Sequence, residues 1–262
     1  MNQLTDLLHI PDTQSSRDDR HVPIQRVGVK GVRYPLQLQI LGAVQTAQAT
    51  WALDVALPAD KKGTHMSRFV AWLDALDVPL TCATLVERHH RMLELLHADE
   101  GRIEAAFTFF LRKRAPVSGL ASLLDYQGRW ISQTVGGRTS VWAEVAVPVK
   151  SLCPCSKEIS DYGAHNQRSL VTVRAELLEP VEWHELVRFA EDSASSELWA
   201  MLKRPDEKWI TERAYENPKF VEDLIRDVAL RLTAEPRIGR YVAEVENFES
   251  IHNHSAYARI ER

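Results

Sequence analysis

The sequence predicts an α+β protein in which antiparallel strands form a sheet with helices on one of its faces. Long segments alternate apolar and polar residues, as half-buried strands do. Between 139 and 149, for example, Val141, Ala143 and Val145 lie on one side of the chain. Other segments repeat apolar residues at steps of three and four, which is typical of helices packed on a sheet. Long strands with short connections favour antiparallel pairing.

The first half of the chain contains two strands, two helices and two further strands by these criteria. In the second strand Trp51, Leu53 and Val55 face one way, and in the first helix Met66, Phe69 and Leu73 form a single stripe. We predict strands at 27–40 and 43–57, helices at 66–76 and 84–98, and strands at 102–113 and 122–135, the last interrupted by a turn at Gln127-Gly128.

The second half repeats this order approximately. Its best-defined helix spans 218–234, where apolar residues recur at every fourth position, Asn217 can cap the helix and Pro218 suits its first position. The residues from Arg204 onwards are interpreted as a charged loop leading into that helix. The remaining predicted elements are strands at 139–149 and 169–178, a helix at 181–193, and strands at 241–248 and 256–260.

The doubled element order suggests two similar units behind an N-terminal arm. We divide the chain into an arm at 1–24, a first unit at 25–136 and a second unit at 137–262. No residue-level repeat connects the two units, so this division depends on element order only.

Composition narrows the class of protein. The chain has 262 residues and a formal net charge of -4, from 32 Lys and Arg against 36 Asp and Glu. Nucleic-acid binding, which usually needs a basic surface, is therefore not expected. No apolar run approaches the roughly 20 residues of a membrane helix, and the polar start does not resemble a signal peptide. We expect a cytoplasmic protein without a membrane partner.

The densest chemical cluster lies between the strands predicted at 139–149 and 169–178. Cys153 and Cys155 flank a proline, and His165 follows twelve residues after Cys153. A thiolate and an imidazole suit Zn(II) and are acceptable to Mn(II) or Fe(II), and a site short of four protein ligands keeps an open position. Alternatively, the two cysteines are small buried residues and His165 caps the end of a strand.

Two carboxylates further along the chain are candidates for the same site. Glu207, in the charged segment, can complete a metal coordination sphere. Glu222 lies near the start of the helix and can accept paired N–H donors from a heterocycle. The alternative for Glu222 is a solvated helix face, which the sequence by itself favours.

Two more clusters carry polar chemistry. Glu249, His252 and His254 form an acid/base set near neutral pH, or else a chance surface cluster. The segment Lys61-Lys62-Gly63-Thr64-His65-Met66-Ser67-Arg68 precedes and opens a predicted helix, where amides and cations can hold a polyphosphate. Basic residues before helices are common, however, so this signal is weak.

Five blocks of the chain together resemble the type IB GTP cyclohydrolase I family, from near the start of the sequence to its end. The blocks are Arg26-Val-Gly-Val, Gly63-Thr-His-Met-Ser-Arg-Phe, Ser151-Leu-Cys-Pro-Cys-Ser-Lys, Asn217-Pro-Lys-Phe-Val-Glu-Asp and Glu249-Ser-Ile-His-Asn-His-Ser-Ala-Tyr. Five blocks in the right order are far more specific than any one of them.

The resemblance implies two fused tunnelling-fold units, whose sheets close a barrel in a homotetramer with active sites at subunit interfaces. It implies that GTP is hydrolysed to 7,8-dihydroneopterin triphosphate and formate, for folate or queuosine precursors. Cys153, His165 and Glu207 would bind a divalent metal, Zn(II), Mn(II) or Fe(II), and Glu222 would anchor guanine.

The same resemblance assigns the remaining candidates to catalysis and phosphate binding. Cys155 would lie beside the metal, and Glu249, His252 and His254 would form the family's C-terminal catalytic segment, in contact with the metal, the base or the ribose. Cys153 is also counted as catalytic. The block that contains Lys62, His65, Ser67 and Arg68 would hold the triphosphate, in a neighbouring subunit's site.

Two other functions remain open at this point. An NADPH-dependent nitrile reductase of 7-cyano-7-deazaguanine shares the tunnelling fold and would use Cys153 or Cys155 as a nucleophile, with no metal. The second is a non-enzymatic interaction module that a bound zinc ion stabilises, although such a module needs fewer acid/base groups than the chain contains.

Overall fold

Eight strands form one antiparallel sheet in which each strand pairs with its neighbour in sequence. A computed structural model describes residues 12–262, so residues 1–11 of the predicted arm lie outside the described residues. The strands are β1 (Ile24–Ile40), β2 (Ala43–Leu57), β3 (Gly101–Arg114), β4 (Ala121–Val135), β5 (Arg138–Leu152), β6 (Asn166–Leu177), β7 (Ile238–Asn247) and β8 (Ala256–Glu261).

Helices fill the connections between β2 and β3 and between β5 and β7. Within residues 12–262 they are α1 (Met66–Asp74), α2 (Cys82–Leu96), α3 (Pro154–Ile159), α4 (Trp183–Glu191), α5 (Arg204–Glu216) and α6 (Val221–Ala234). The predicted α+β class, with antiparallel strands and helices on one face, is confirmed.

The core lies between the helices and one face of the sheet. Along β5 the buried residues Val141, Ala143 and Val145 alternate with partly exposed neighbours, as the sequence pattern predicts. On the helix side, Leu224 and Val228 of α6 are fully buried and belong to the same core cluster. This continuous apolar layer holds the strand ends, and therefore the residues beyond them, in fixed relative positions.

The predicted turn at Gln127-Gly128 is wrong, because β4 continues through it. Gly128 pairs with Phe107 on β3 and with Val145 on β5. A Cβ atom at this position would lie 2.6 Å from the ring of Phe107. The glycine therefore makes room for an aromatic side chain and does not reverse the chain.

The charged segment is a helix and not a loop. Pro205 lies in the first turn of α5, and the Asp206 carboxylate accepts the Lys203 amide at 2.8 Å. Among its residues Asp206, Ile210 and Ala214 are buried, at a spacing of four. This stripe is too narrow and too polar for apolar periodicity to reveal it.

The predicted cap of the following helix is also wrong. Asn217 ends α5, and its Nδ2 atom donates to the Ala194 carbonyl oxygen at 2.9 Å. Helix α6 begins later, at Val221, where the Asp223 carboxylate accepts the Phe220 amide at 3.1 Å. Two helices, with Asn217 between them, thus replace the predicted loop and helix.

No helix of the described chain, residues 12–262, is both long and apolar enough to cross a bilayer.

Candidate active site

A cavity of about 340 Å³ opens where β5 ends, β6 begins and β7 ends. The start of α6 and the segment between β7 and β8 complete its wall. Its lining residues are Cys153, Cys155, His165, Gln167, Lys219, Phe220, Val221, Glu222, Asn247, Glu249, His252, His254 and Ala256. The cavity therefore brings together predicted site residues from three separate parts of the sequence.

Cys153 and His165 are neighbours because the ladder of β5 and β6 ends between them. Leu152 and Asn166 are the last paired residues, and the Cys153 amide then donates to the His165 carbonyl oxygen at 3.2 Å. Cys153 also caps the short helix α3, where its Sγ atom accepts the Ser156 amide at 3.5 Å. The intervening residues thus fold back on themselves and return the chain to the cysteine.

Gln167 sets the orientation of the His165 ring. The Nδ1 atom of His165 lies 3.1 Å from Oε1 of Gln167 and 3.4 Å from Oγ of Ser250. In this orientation of the Gln167 carboxamide its oxygen, which only accepts hydrogen bonds, accepts from Nδ1. The Nε2 atom then keeps its lone pair, which is the form in which a histidine binds a metal.

The C-terminal cluster also lines the cavity. The rings of His252 and His254 stack with centroids 5.2 Å apart and planes 17° apart. Glu249 lines the same wall. Two imidazoles and a carboxylate therefore line one small cavity together with the two cysteines.

The start of α6 contributes an anion to the cavity, and the residue before its N-cap contributes a cation. The backbone amide of Lys219 donates to the Leu152 carbonyl oxygen at 3.0 Å, and its Nζ atom pairs with Asp227. Glu222 lines the cavity as the second residue of the helix. A carboxylate in a first turn interacts favourably with the helix dipole.

Glu207 is not brought to this cavity. It is exposed on α5 and is not among the lining residues. Within residues 12–262, no three His, Cys, Asp or Glu side chains are arranged to hold a metal ion. The neighbouring Asp206 is buried instead, where it accepts the Val117 and Ser118 amides at 2.8 Å each.

The basic block lines a different cavity, of about 250 Å³, between β2, α1 and the end of α2. His65 and Arg68 line this cavity, whereas Lys62 and Ser67 are exposed and do not. His65 pairs with Asp12 at 3.3 Å, and Arg68 donates to the Leu95 carbonyl oxygen at 3.1 Å. In a single chain the basic block is therefore separate from the cysteine cavity.

Three lining residues carry polar chemistry that the sequence analysis did not select. They are Gln167, Lys219 and Asn247. Gln167 and Asn247 continue the buried sides of β6 and β7, at positions where the alternation demands apolar residues. A polar residue on the buried side of a strand is the sequence signal that marks them.

The sheet order and the helix-covered face define a tunnelling-fold protein. A solved structure, the uricase from Arthrobacter globiformis, aligns with a TM-score of 0.50 over 91% of this chain and 93% of its own, at 11% identity. That level of identity shows a common fold and nothing about chemistry.

Sequence comparison identifies the family of this chain, which the similarity in fold does not. A family model described as type I GTP cyclohydrolase FolE2 matches residues 10–258. A GTP cyclohydrolase FolE2 from Methylibium petroleiphilum is 64% identical over 97% of this chain and 96% of its own length. Another from Paraburkholderia xenovorans is 60% identical over 100% and 98%. The chain belongs to the type I GTP cyclohydrolase FolE2 family.

Proposed function

We propose that this chain hydrolyses GTP to 7,8-dihydroneopterin triphosphate and formate, in the cytoplasm, as a type IB enzyme that supplies folate and queuosine precursors. The observation that carries the proposal is the cavity that holds every predicted site residue between Cys153 and His254 except Glu207. Family membership supplies the substrate and the reaction.

Cys153 and His165 fit a divalent metal in their chemistry. The structure supplies a sulfur and a ring nitrogen from adjacent strand ends, with His165 already in the correct tautomer. Zn(II), Mn(II) and Fe(II) all accept this pair. We propose Glu207 as the third ligand, which requires its segment to move or another subunit to approach. When bound, such an ion lowers the pKa of water from 15.7 towards about 7.

The protein side chains then have defined tasks in the reaction. Water adds to C8 of guanine, the imidazole ring opens, and a second hydrolysis releases formate before the ribose rearranges and closes on the base. Each step needs a proton at a ring nitrogen or a leaving group. His252 and His254 are the proposed proton donors, with Cys155 and Glu249 beside them, since histidine is the side chain that most often transfers protons in catalysis.

Glu222 is proposed to bind the guanine. Its carboxylate has two oxygens, and guanine presents the N1–H and the 2-amino group as two donors in matching geometry. Burial of a carboxylate under a bound base is costly unless such donors satisfy it. The pairing therefore favours guanine over bases that lack these donors.

The triphosphate is proposed to bind at the block that contains Lys62, His65, Ser67 and Arg68. Because this block lines a separate cavity in one chain, the proposal requires a second subunit. A homotetramer, in which units 25–136 and 137–262 of each chain extend a common barrel, would place the block at an interface.

The experiment that tests the function is a product assay. Purified protein with GTP and added Zn(II) or Mn(II) is expected to release formate and a pterin with its characteristic fluorescence. The rival reductase would instead oxidise NADPH when given 7-cyano-7-deazaguanine, without needing a metal. A zinc-stapled module would do neither, and GTP would not raise its unfolding temperature.

A further inference from the structure

Asn247 is a buried carboxamide at the edge of the cavity with no role in the chemistry described so far. It is the last residue of β7, is 3% exposed and lines the cavity. Its strand partner is Ser169 on β6. A polar side chain this deeply buried normally has its hydrogen-bonding capacity filled.

Two buried serines fix which end of the Asn247 amide faces the cavity. The Ser169 hydroxyl lies 2.8 Å from Ser151 Oγ and 2.6 Å from Asn247 Oδ1. Ser169 has one proton, and Oδ1 only accepts, so Ser169 donates to Asn247 and Ser151 donates to Ser169. In this orientation of the amide, Oδ1 is the end that faces Ser169.

The Nδ2 group is consequently the free end of this side chain. Within residues 12–262 no hydrogen bond from Nδ2 is found, whereas Oδ1 accepts from Ser169. Nδ2 is not among the fully buried unpaired side-chain atoms, so it retains access to the cavity that Asn247 lines. The two N–H donors of Asn247 are therefore available to an acceptor bound in the cavity.

We propose that Asn247 is a specificity-determining residue that donates a hydrogen bond to the C6 carbonyl oxygen of the bound guanine. The inference rests on the proposed function, since it presumes a guanine held by Glu222. The carbonyl oxygen is the atom next to N1 on the edge that Glu222 would bind. Glu222 and Asn247 line the same cavity, one as an acceptor and one as a donor.

This pairing rejects adenine for a physical reason. Adenine carries an amino group at C6, which is a donor where guanine has an acceptor. Two donors would then face each other, and a bound adenine would shut Asn247 Nδ2 off from water without giving it an acceptor. Sites that hydrogen-bond a polar group of the substrate discriminate strongly against analogues that lack it.

The test compares two nucleotides that differ only in this acceptor. The probes are 7-deaza-GTP, whose C8 is not an amidine carbon and resists hydrolysis, and the same compound with sulfur in place of the C6 oxygen. Sulfur is the weaker acceptor. We expect the metal-loaded protein to bind the oxygen compound about tenfold more tightly, as one hydrogen bond of about 1.4 kcal/mol predicts.

The Asn247→Asp and Asn247→Ala variants should bind both probes with similar Kd values, and either one that folds suffices. Asn166→Ala, an exposed asparagine outside the cavity, should keep the wild-type ratio. Equal binding of the two probes by the wild type, or an unchanged ratio in a folded variant of Asn247, would overturn the inference.

Formate release from GTP is measured on the same wild-type preparation. Discrimination between the probes without formate would support the role of Asn247 and contradict the proposed reaction. Formate release without discrimination between the probes would support the proposed reaction and contradict the role of Asn247. Binding of neither probe would overturn the role of Asn247, and the absence of formate release as well would overturn the proposed reaction.

Discussion

The backbone amide of Cys153 donates to the carbonyl oxygen of His165, which are twelve residues apart in sequence. This bond extends the β5–β6 ladder by one step beyond its last pair, Leu152 and Asn166. The thiol and the imidazole are therefore positioned by two adjacent strands of a large sheet. Sites on regular elements keep their geometry better than sites on loops, so this pair would form a preorganised half of the proposed metal site.

Removal of the Glu222 charge should weaken GTP binding without loss of metal. Glu222→Gln keeps the shape of the side chain but offers an N–H to the guanine donors, so we expect KM for GTP to rise about 10–100-fold, the cost of a charged hydrogen-bonding partner. Bound metal is measured in parallel and should not change. Glu216→Gln, at an exposed position of α5, is the control. A normal KM in Glu222→Gln would refute the role of this residue.

Arg68 should distinguish the triphosphate from the base. Arg68→Ala removes a cation that lines the second cavity, so GTP is expected to bind at least tenfold more weakly while guanosine binds as before. Equilibrium binding of both ligands measures the difference. Arg91→Ala changes an exposed arginine of α2 and serves as the matched variant. Equal losses for GTP and guanosine would argue against phosphate contact.

Glu207 should affect metal content despite its place outside the cavity. We expect Glu207→Gln to reduce the metal bound per chain and the rate of formate release together, because a two-ligand site holds an ion weakly. Glu212→Gln, also exposed on α5, should leave both unchanged. Full metal content in Glu207→Gln would leave Glu249, a carboxylate of the cavity, as the third ligand.

A buried histidine outside the site should make stability depend on pH. Burial, and secondarily the neighbouring His90, lower the pKa of His89 from 6.5 to about 4. The unfolded chain therefore takes up a proton between these values and the folded chain does not, so stability is lost as the pH falls below 6.5. At about pH 5 the loss is roughly 2 kcal/mol.

Urea unfolding at about pH 7.5 and about pH 5 measures this contribution. The ring of His89 contacts Ser132 at 2.7 Å and Thr134 at 3.2 Å. His89→Gln should show a clearly smaller difference between the two pH values than the wild type, whereas His90→Gln, which removes only the secondary cause of the shift at an exposed position, should reduce the difference much less. The same pH dependence in His89→Gln and the wild type would show that another group titrates.

Much of the fold follows from apolar periodicity. Alternation in 139–149 matches the buried face of β5, and the predicted span of β2, 43–57, agrees with the structure. Periodicity fails where burial is sparse or polar: α5 buries only Asp206, Ile210 and Ala214. A glycine next to a polar residue suggests a turn, so Gly128 is wrongly predicted as one. The actual reason for the glycine is the ring of Phe107 on the neighbouring strand, a contact that the local sequence does not indicate.

The contacts of the candidate site are likewise only partly predictable from the sequence. Cys153 and His165 are separated by a short excursion between two paired strands, so their proximity is implied once those strands are identified. The contact between Asn247 and Ser169 depends on the register of β6 and β7, which are far apart in sequence. Whether Glu207 reaches the cavity depends on how α5 packs, and the local sequence pattern does not indicate that packing.

The most direct test follows formate release from GTP as metal is returned to the chelator-treated protein. Formate formation should rise in proportion to bound Zn(II) or Mn(II) and reach its maximum at one ion per chain. Cys153→Ala and His165→Ala should bind little metal and release no formate. Cys82→Ala, which changes a cysteine outside the cavity, should match the wild type. Formate release by the metal-free protein, or full metal content in both site variants, would contradict the account.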